Sequence, residues 1–312
     1  MQKNEISNIS DDEIDLTKLL KIFWQGKWYI ITGIFIFSVL SIVYSLLQPN
    51  VYNSEALLYP ADDVQNNSIG QLAGQFGGLA SLAGIDLNSE SGSKAQLAIE
   101  ILKSRHFIGE FIQRHKLLPS LMAAESWDFD DNKILYDSEI YNESKQQWVR
   151  EVSPPFNKKP SLQEAYKEFS KIFSITSDTE TGTISISVEH ISPYEAQQWV
   201  VWLVEDINKV MKDRDVTEAN KSTYFLTEQL KETKIADIRS VLYNLIEEQA
   251  KTIMFANVHD EYVFKTIDPA LVPEEKSGPK RALLCILGAL LGAIIGVLFV
   301  TIRYFKKENT YR

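Results

Sequence analysis

Two long apolar runs lie near the two ends of a chain whose middle mixes polar and apolar residues. No charged residue occurs between Lys27 and Glu55, and none occurs between Arg281 and Arg303. Each run exceeds the roughly 20 residues that an α-helix needs to cross the hydrocarbon core of a membrane. A charge at the bilayer centre costs about 2.5–3.5 kcal/mol, so the absence of charge from both windows is informative. The pattern predicts transmembrane helices over residues 28–47 and 282–302.

Each run has an alternative interpretation. The first could be a cleaved signal peptide, since Ser54-Glu55-Ala56 resembles a small-residue cleavage site. Its apolar stretch, however, is longer than the roughly 7–15 residues of a signal core, and the acidic sequence "DDEIDL" precedes it. The second run could be a buried core helix, but its length and the ten polar residues that follow it favour a membrane span.

Basic residues beside the runs predict how the chain is oriented in a membrane. Seven lie on the outer sides of the runs: Lys18, Lys21, Lys27, Arg303, Lys306, Lys307 and Arg312. Three lie on the inner sides: Lys276, Lys280 and Arg281. Because basic flanks stay in the cytoplasm, we expect cytoplasmic tails over residues 1–27 and 303–312. Residues 48–281 would then form one domain in the periplasm, tethered at both ends.

Local patterns predict that this domain is of the α+β class. The segments "VYNSEALLYP" (51–60), "SITSDTETGTISISVEH" (174–190) and "YVFKTI" (262–267) have the alternation typical of strands, and we expect the first and last to pair. Helical spacing of apolar residues predicts one helix from a Ser93 N-cap to Pro119. A second helix follows a capping box of Ser161 and Glu164.

A long extended helix is predicted over about 193–256. Ser192, Pro193 and Glu195 form an N-terminal capping signature, and no glycine or proline occurs from Tyr194 to Asp268. One continuous helix would be roughly 95 Å long, too long to bury itself in one domain. It therefore needs either a partner chain or a break around residues 212–223. An apolar stripe runs along this helix. If the helix is broken, the stripe belongs to the core of the domain; if it is continuous, the stripe is a candidate oligomer seam. Its residues are Leu226, Leu230, Ile238, Leu242 and Leu245.

Glycine recurs at every fourth position of the second apolar run, at Gly288, Gly292 and Gly296. These two overlapping G-x-x-x-G units place the glycines on one helix face, where another backbone can approach closely. The packing partner could be the first span, a neighbouring copy or another protein. The only cysteine, Cys285, lies in the same run, so no intrachain disulfide can form.

Composition and motifs argue against nucleic-acid binding and against catalysis. From Trp28 to Pro279 there are 36 acidic and 22 basic residues, whereas nucleic-acid binding requires a basic surface. The glycine-rich stretch 68–93 lacks the lysine of a phosphate-binding loop, and the acids of "DFDD" (128–131) are typical of a solvated loop. The four histidines show no metal-ligand spacing. We expect neither cofactor nor metal, and no enzymatic activity.

Several segments, taken in order, resemble Wzz-type chain-length determinant proteins, the class 1 polysaccharide co-polymerases. They are "DDEIDLTKLLKIFWQGKWYII", "ILKSRHFIGEFI", "LQEAYKEFSKIFSITSDTETGTISISVEHISPYEAQQWVVWLVEDINKVM" and "IDPALVPEEKSGPKRA". Residues 120–160 match this family least, and their role is left open.

The resemblance implies a non-enzymatic protein of the bacterial inner membrane. Such proteins form a bell-shaped periplasmic homo-oligomer of about eight copies. They set the number of repeat units that the Wzy polymerase adds to an undecaprenyl-diphosphate-linked glycan, commonly the O-antigen of lipopolysaccharide. By the family pattern, the glycine face and the proline-rich lead of Pro269, Pro273 and Pro279 would couple the oligomer to the polymerase.

Two other functions stay open on the residues alone. A double-anchored periplasmic sensor would need a separate cytoplasmic signalling partner. A membrane-anchored glycan hydrolase would have to use carboxylates of the outer domain.

Overall fold

The computed structural model describes Trp24, residues 26–61 and residues 90–310. The predicted N-terminal tail up to residue 23 and the glycine-rich stretch over 68–89 lie outside these residues. The chain divides into a central unit, Asn50–Ser277, and a second unit made of the segments on either side of it.

Helices and strands alternate irregularly along the described residues. The helices are α1 (Lys27–Leu47), α2 (Glu90–Lys103), α3 (Arg105–Arg114), α4 (Leu118–Met122), α5 (Leu162–Ile172), α6 (Pro193–Glu232), α7 (Ala236–Val258) and α8 (Arg281–Thr310). The strands are β1 (Tyr52–Pro60), β2 (Ala124–Asp128), β3 (Lys133–Tyr136), β4 (Tyr141–Asn142), β5 (Gln147–Trp148), β6 (Phe173–Ser177), β7 (Ile184–His190) and β8 (Phe264–Asp268). This arrangement confirms the α+β class with a long helix.

An antiparallel sheet with the order β6-β7-β1-β8 organises the central unit. The predicted pairing of the strand after the first apolar run with the strand near residue 265 is confirmed, with Tyr59 opposite Lys265. Alternate residues of β7 are buried, as expected for a strand with one face on a core. The predicted turn between β6 and β7 is also confirmed, and Gly182 adopts the left-handed conformation there (φ 69°).

The hydrophobic core lies between this sheet and the helices α2, α3, α5 and the first half of α6. Phe169 stands at its centre, with its ring 5.6 Å from Phe111 and 6.1 Å from Trp199. All three side chains are at most 1% exposed. Complete burial of such large rings from three separate helices fixes how these helices pack.

The single helix predicted between Ser93 and Pro119 is wrong in detail. The chain forms two helices there, because Ser104 leaves helical geometry and its side chain accepts a hydrogen bond from the Phe107 backbone N–H, capping α3. The first helix already begins at Glu90, and Pro119 lies in the first turn of the short α4 instead of ending a helix.

The long helix is interrupted, but not where the sequence suggested. Residues 212–223 are fully helical, and the break falls at residues 233–235. There Thr233 takes extended dihedral angles, and both its N–H and its hydroxyl bond the Gln229 carbonyl. The break that was one of the two alternatives is therefore confirmed, but its predicted position around 212–223 is wrong. The chain makes a 40-residue helix, about 60 Å long, followed by a separate 23-residue helix.

Residues 120–160 form two small hairpins, β2–β3 and β4–β5. Arg150 attaches this segment to the start of α5: its guanidinium donates to the Glu164 carboxylate (2.8 Å) and to the Lys158 carbonyl (2.8 Å). Glu164 also completes the predicted capping box with Ser161. Desolvation opposes ionisation of Glu164, but hydrogen bonds from Ser161 and Arg150 outweigh it and lower the pKa of this carboxyl.

Candidate functional site

The glycine face of α8 packs directly against α1. The two helices run antiparallel, so that Gly296 meets Ile30, Gly292 meets Gly33 and Gly288 meets Ser41. A Cβ atom added at Gly292 would lie 2.6 Å from the Gly33 carbonyl oxygen, and one at Gly296 would lie 2.8 Å from the Ile30 Cα. Both distances are too short for real atoms, so each glycine is required for this close approach.

Within this chain the first apolar helix, α1, covers the glycine face of α8. The opposite faces of both helices remain open: Phe35 is 68% exposed, and Leu290 and Ile294 are similarly exposed. Both helices are long and apolar enough to cross a membrane.

Polar and aromatic contacts reinforce the helix pair toward its two ends. The Ser41 hydroxyl donates to the Leu284 carbonyl at 2.6 Å, a bond between the two helices. Tyr29 lies 5.7 Å from Phe299, and the Arg303 guanidinium lies 4.9 Å from the centre of the same tyrosine ring. A cation over an aromatic face is favourable, by about 0.5–1 kcal/mol at exposed sites.

The three prolines lie in the extended segment between β8 and α8. Pro269 is exposed directly after β8, whereas Pro273 and Pro279 are half-buried. This segment runs beside the start of β1: the Ser54 hydroxyl donates to the Leu271 carbonyl, and the Ser277 N–H donates to the Val51 carbonyl. The segment is thus fixed along the sheet, with Pro269 accessible.

The second half of α6 and all of α7 form an antiparallel hairpin, called the helical hairpin below. Near its base the Tyr262 hydroxyl donates to Asp215 at 2.7 Å, and Lys212 bonds the His259 carbonyl at 3.5 Å. These contacts join the end of α7 to the middle of α6. Two charged side chains of the sequence around residue 213, Lys212 and Asp215, thus have partners in the returning chain.

In the helical hairpin, the five residues of the predicted oligomer seam fall into a half-buried group and an exposed group. Leu226 and Leu230 of α6 and Leu242 of α7 are half-buried. Ala219, seven residues before Leu226, and Ala256, fourteen residues after Leu242, are the buried alanines of the hairpin, close to whole numbers of helical turns away. This spacing places them between the two helices.

The other two seam residues are exposed. Ile238 and Leu245 share one face of α7 with Val241, and the three side chains are 46%, 39% and 57% exposed. None of the described segments of the chain covers this exposed apolar stripe on α7.

The carboxylates and histidines considered for chemistry do not converge. In the part of the chain that the structure describes, no group of three or more His, Cys, Asp and Glu side chains is placed to hold a metal ion. His115 pairs with Asp206 at 3.0 Å, and Arg114 binds the other oxygen of that carboxylate at 2.8 Å. Asp128 accepts the Asp130 backbone N–H, as in a tight acidic turn.

His190 connects the end of β7 to the N-terminus of α6. Its Nε2 lies 3.1 Å from the Ser120 carbonyl, which can only accept, so Nε2 carries the proton. Its Nδ1 accepts the Ser192 backbone N–H at 3.1 Å. Burial lowers the pKa of this imidazole from its usual 6.5, because the charged form would lose water.

Acid is therefore expected to destabilise the central unit through His190. The folded-state pKa lies below the unfolded one, so this stability is fully present above pH 6.5 and is lost as the pH falls toward the folded pKa. Denaturant unfolding at pH 7.5 and at lower pH measures the loss, which His190→Gln should reduce. His106→Gln is the control, since the His106 side chain is 87% exposed and should leave the pH dependence intact. Equal pH dependence in the His190 variant would contradict this assignment.

Sequence reasoning missed a cluster of aromatic rings on the central unit. Trp127 lies 5.8 Å from Tyr52, 5.6 Å from Phe129 and 6.2 Å from Tyr194. These residues come from β1, β2 with its turn, and the first turn of α6. No local spacing signals the cluster, because only the fold brings the three segments together.

Comparison with known proteins confirms the resemblance over residues 12–115. Residues 12–115 match the family described as "Wzz: Chain length determinant protein". Curated protein sequences give no match. Among solved structures, the chain is similar to a full-length bacterial polysaccharide co-polymerase, with 15% identity, a TM-score of 0.39, and coverage of 94% of this chain and 99% of that chain. It is also similar to a fragment of WzzB, a polysaccharide co-polymerase from Salmonella Typhimurium, with 13% identity, a TM-score of 0.29, and coverage of 73% and 100%.

Proposed function

We propose that this chain, which carries a Wzz chain-length-determinant domain over residues 12–115, regulates the length of a surface polysaccharide without catalysing its synthesis. The family match is the observation that carries the proposal. It spans the first apolar helix, β1, α2 and α3. The polymer would be an undecaprenyl-diphosphate-linked glycan such as O-antigen, extended by a Wzy polymerase.

In this proposal both termini lie in the cytoplasm and the central unit lies in the periplasm. The basic residues outside the two apolar helices support this orientation. The tight glycine packing of α8 on α1 supports a pair of adjacent membrane spans within one subunit, whose outward faces contact lipid or the polymerase. The accessible Pro269 end of the proline segment is a second contact for the polymerase.

We also propose that the protein forms a homo-oligomer, whose subunits contact one another through the exposed apolar stripe on α7. Ile238, Val241 and Leu245 expose hydrocarbon on a two-helix hairpin that no other layer among residues 26–61 and 90–310 covers. A neighbouring subunit would bury this stripe, and repeated head-to-tail contacts close into a ring. Leu226, Leu230 and Leu242 then support the seam from within the hairpin.

Placing carboxylates in the stripe is expected to dissociate the oligomer. In an Ile238→Asp/Leu245→Asp variant, association would bury unpaired charges at a cost of several kcal/mol each. Light scattering of the detergent-solubilised protein should show a lower mass, with the circular dichroism unchanged. Ser240→Asp adds charge to an exposed position outside the stripe and should leave the mass unchanged. An unchanged mass in the double variant would place the seam elsewhere.

A reconstituted polymerase reaction separates regulation from hydrolysis. Membranes containing the polymerase and lipid-linked repeat units should make a broad length distribution alone and a clustered one after the purified chain is added. Incubation of the chain with finished polymer should release no sugar. Release of sugar would support the hydrolase alternative and overturn this proposal.

A further inference from the structure

The aromatic cluster on the central unit leaves much of its ring surface open. Phe129 is 79% exposed in the turn after β2, and Tyr194 is 48% exposed at the start of α6. Trp127 lies between them, half-buried, and its indole N–H already donates to the Asn132 side chain at 2.9 Å. The edge-on contacts of Trp127 with Phe129 and Tyr52 hold the rings at large angles to one another, 80° and 77°. We call these four residues the aromatic surface.

Folding does not explain why these rings are exposed. A phenylalanine that stays in water at the tip of a turn contributes little burial, and a grouped exposed apolar patch usually marks a binding site. Tyr52 and Tyr194 stand on β1 and α6, which the core holds together, and Trp127 is held beside them by its ring contacts with both tyrosines and by its hydrogen bond to Asn132. A rigid, exposed group of rings can bind a ligand with little loss of conformational freedom.

The chemistry of the surroundings selects the class of ligand. Asp128, Asp130 and Asp131 adjoin the rings, and the region from Trp28 to Pro279 is strongly acidic. Phosphates, nucleic acids and anionic lipid surfaces are repelled by such a field. Uncharged sugars are not repelled, and their hydroxyl groups donate to carboxylates.

Sugar rings also suit aromatic faces. The face of an aromatic ring is electron-rich, so the C–H groups on one side of a pyranose ring pack favourably against it. The tyrosine hydroxyls of Tyr52 and Tyr194 add donors and acceptors beside the stacking surface.

We infer that the aromatic surface of Tyr52, Trp127, Phe129 and Tyr194 binds uncharged pyranose units of a glycan chain. The identity of that glycan as the polymer whose length is regulated rests on the proposed function, whereas the binding chemistry does not. The inference also assigns a role to residues 120–160, the segment that resembles the family least.

Binding is tested with the full-length protein in detergent micelles. The probe is the cell's own surface polysaccharide, released from its lipid by mild acid and titrated while bound sugar protons are detected by saturation-transfer NMR. Phe129→Ala should weaken binding by roughly tenfold, as expected for the loss of one stacking contact. Phe129→Trp should restore binding. Phe156→Ala is the matched control, since Phe156 is 53% exposed in the same segment but outside the surface.

The outcomes separate this inference from the proposed function. Absence of saturable binding, or equal binding by Phe129→Ala and Phe156→Ala, would overturn the inference. So would phosphatidylcholine vesicles competing with the polysaccharide for the rings, because the occupant would then be the membrane surface. A clustered polysaccharide ladder that depends on the gene would still support the proposed function in each of these cases. Binding that is lost in Phe129→Ala supports the inference whether or not the ladder changes.

Discussion

Replacing Gly292 with leucine is expected to abolish the clustering of polysaccharide lengths while the protein remains in the membrane. Even the first added carbon would lie 2.6 Å from the Gly33 carbonyl oxygen and 2.9 Å from the Ile34 Cα. Both are backbone atoms, which cannot rotate away, so α8 must move away from α1. Overpacking of this kind costs typically about 1–3 kcal/mol. The helix itself survives, since leucine is a better helix former than glycine.

Two companion variants show whether the effect comes from helix packing. Ala282→Leu adds bulk to the same helix at an exposed position and should leave the ladder unchanged. Gly292→Ala adds only the clashing carbon and should give an intermediate broadening. Gel analysis of surface polysaccharide, normalised to the amount of protein in the membrane, measures all three. A wild-type ladder from a well-expressed Gly292→Leu protein would show that the helix pair does not transmit length control.

Replacing Asn208 with leucine is expected to cause the largest loss of folding stability in the central unit. The Asn208 side chain is 3% exposed and uses all of its polar atoms. Its amide donates to the Val204 and Phe264 carbonyls, and its oxygen accepts the Val263 and Phe264 N–H groups at 2.8 and 2.9 Å. Leucine would take this partner away from the Val263 and Phe264 N–H groups at the start of the edge strand β8.

Each unsatisfied buried group costs about 1–3 kcal/mol, so a loss of roughly 3–5 kcal/mol is expected. Denaturant unfolding followed by circular dichroism measures it. Asn220→Leu changes the same side chain at an exposed position of the same helix and should stay within about 0.5 kcal/mol of wild type. A similar loss in both variants would mean that helix propensity, and not the anchoring of β8, explains the effect.

The parts of the fold that depend on nearby residues could be predicted. The two apolar helices, the capping box at Ser161 and the turn at Gly182 each follow from a few adjacent side chains. The start of α6 at Pro193 followed in the same way, although Glu195 does not close the predicted box. Its carboxylate accepts the indole N–H of Trp199 instead, at 2.6 Å. The indole N–H of a residue one helical turn away thus takes the place of the Ser192 backbone N–H as the donor to this carboxylate.

The parts that depend on distant residues could not be predicted. Nothing near Thr233 marks a chain reversal, because the break is stabilised by packing of α7 against α6. The G-x-x-x-G spacing indicated a close approach but not its partner, since the small residue at Gly33 lies more than 250 positions away. The aromatic surface depends on strand register and helix placement together. The partner of the glycine face and the aromatic surface therefore depend on tertiary structure, whereas the two apolar helices can be recognised from the local sequence alone.

Control of polymer length in the cell can be measured on a gel of surface polysaccharide. Polysaccharide is compared from cells with the gene, cells without it, and cells without it that carry the gene on a plasmid. We expect a cluster of bands at a preferred length in the first and third samples. In the second sample we expect a broad distribution of mainly short chains. An unchanged cluster in cells that lack the protein would show that it does not control polymer length.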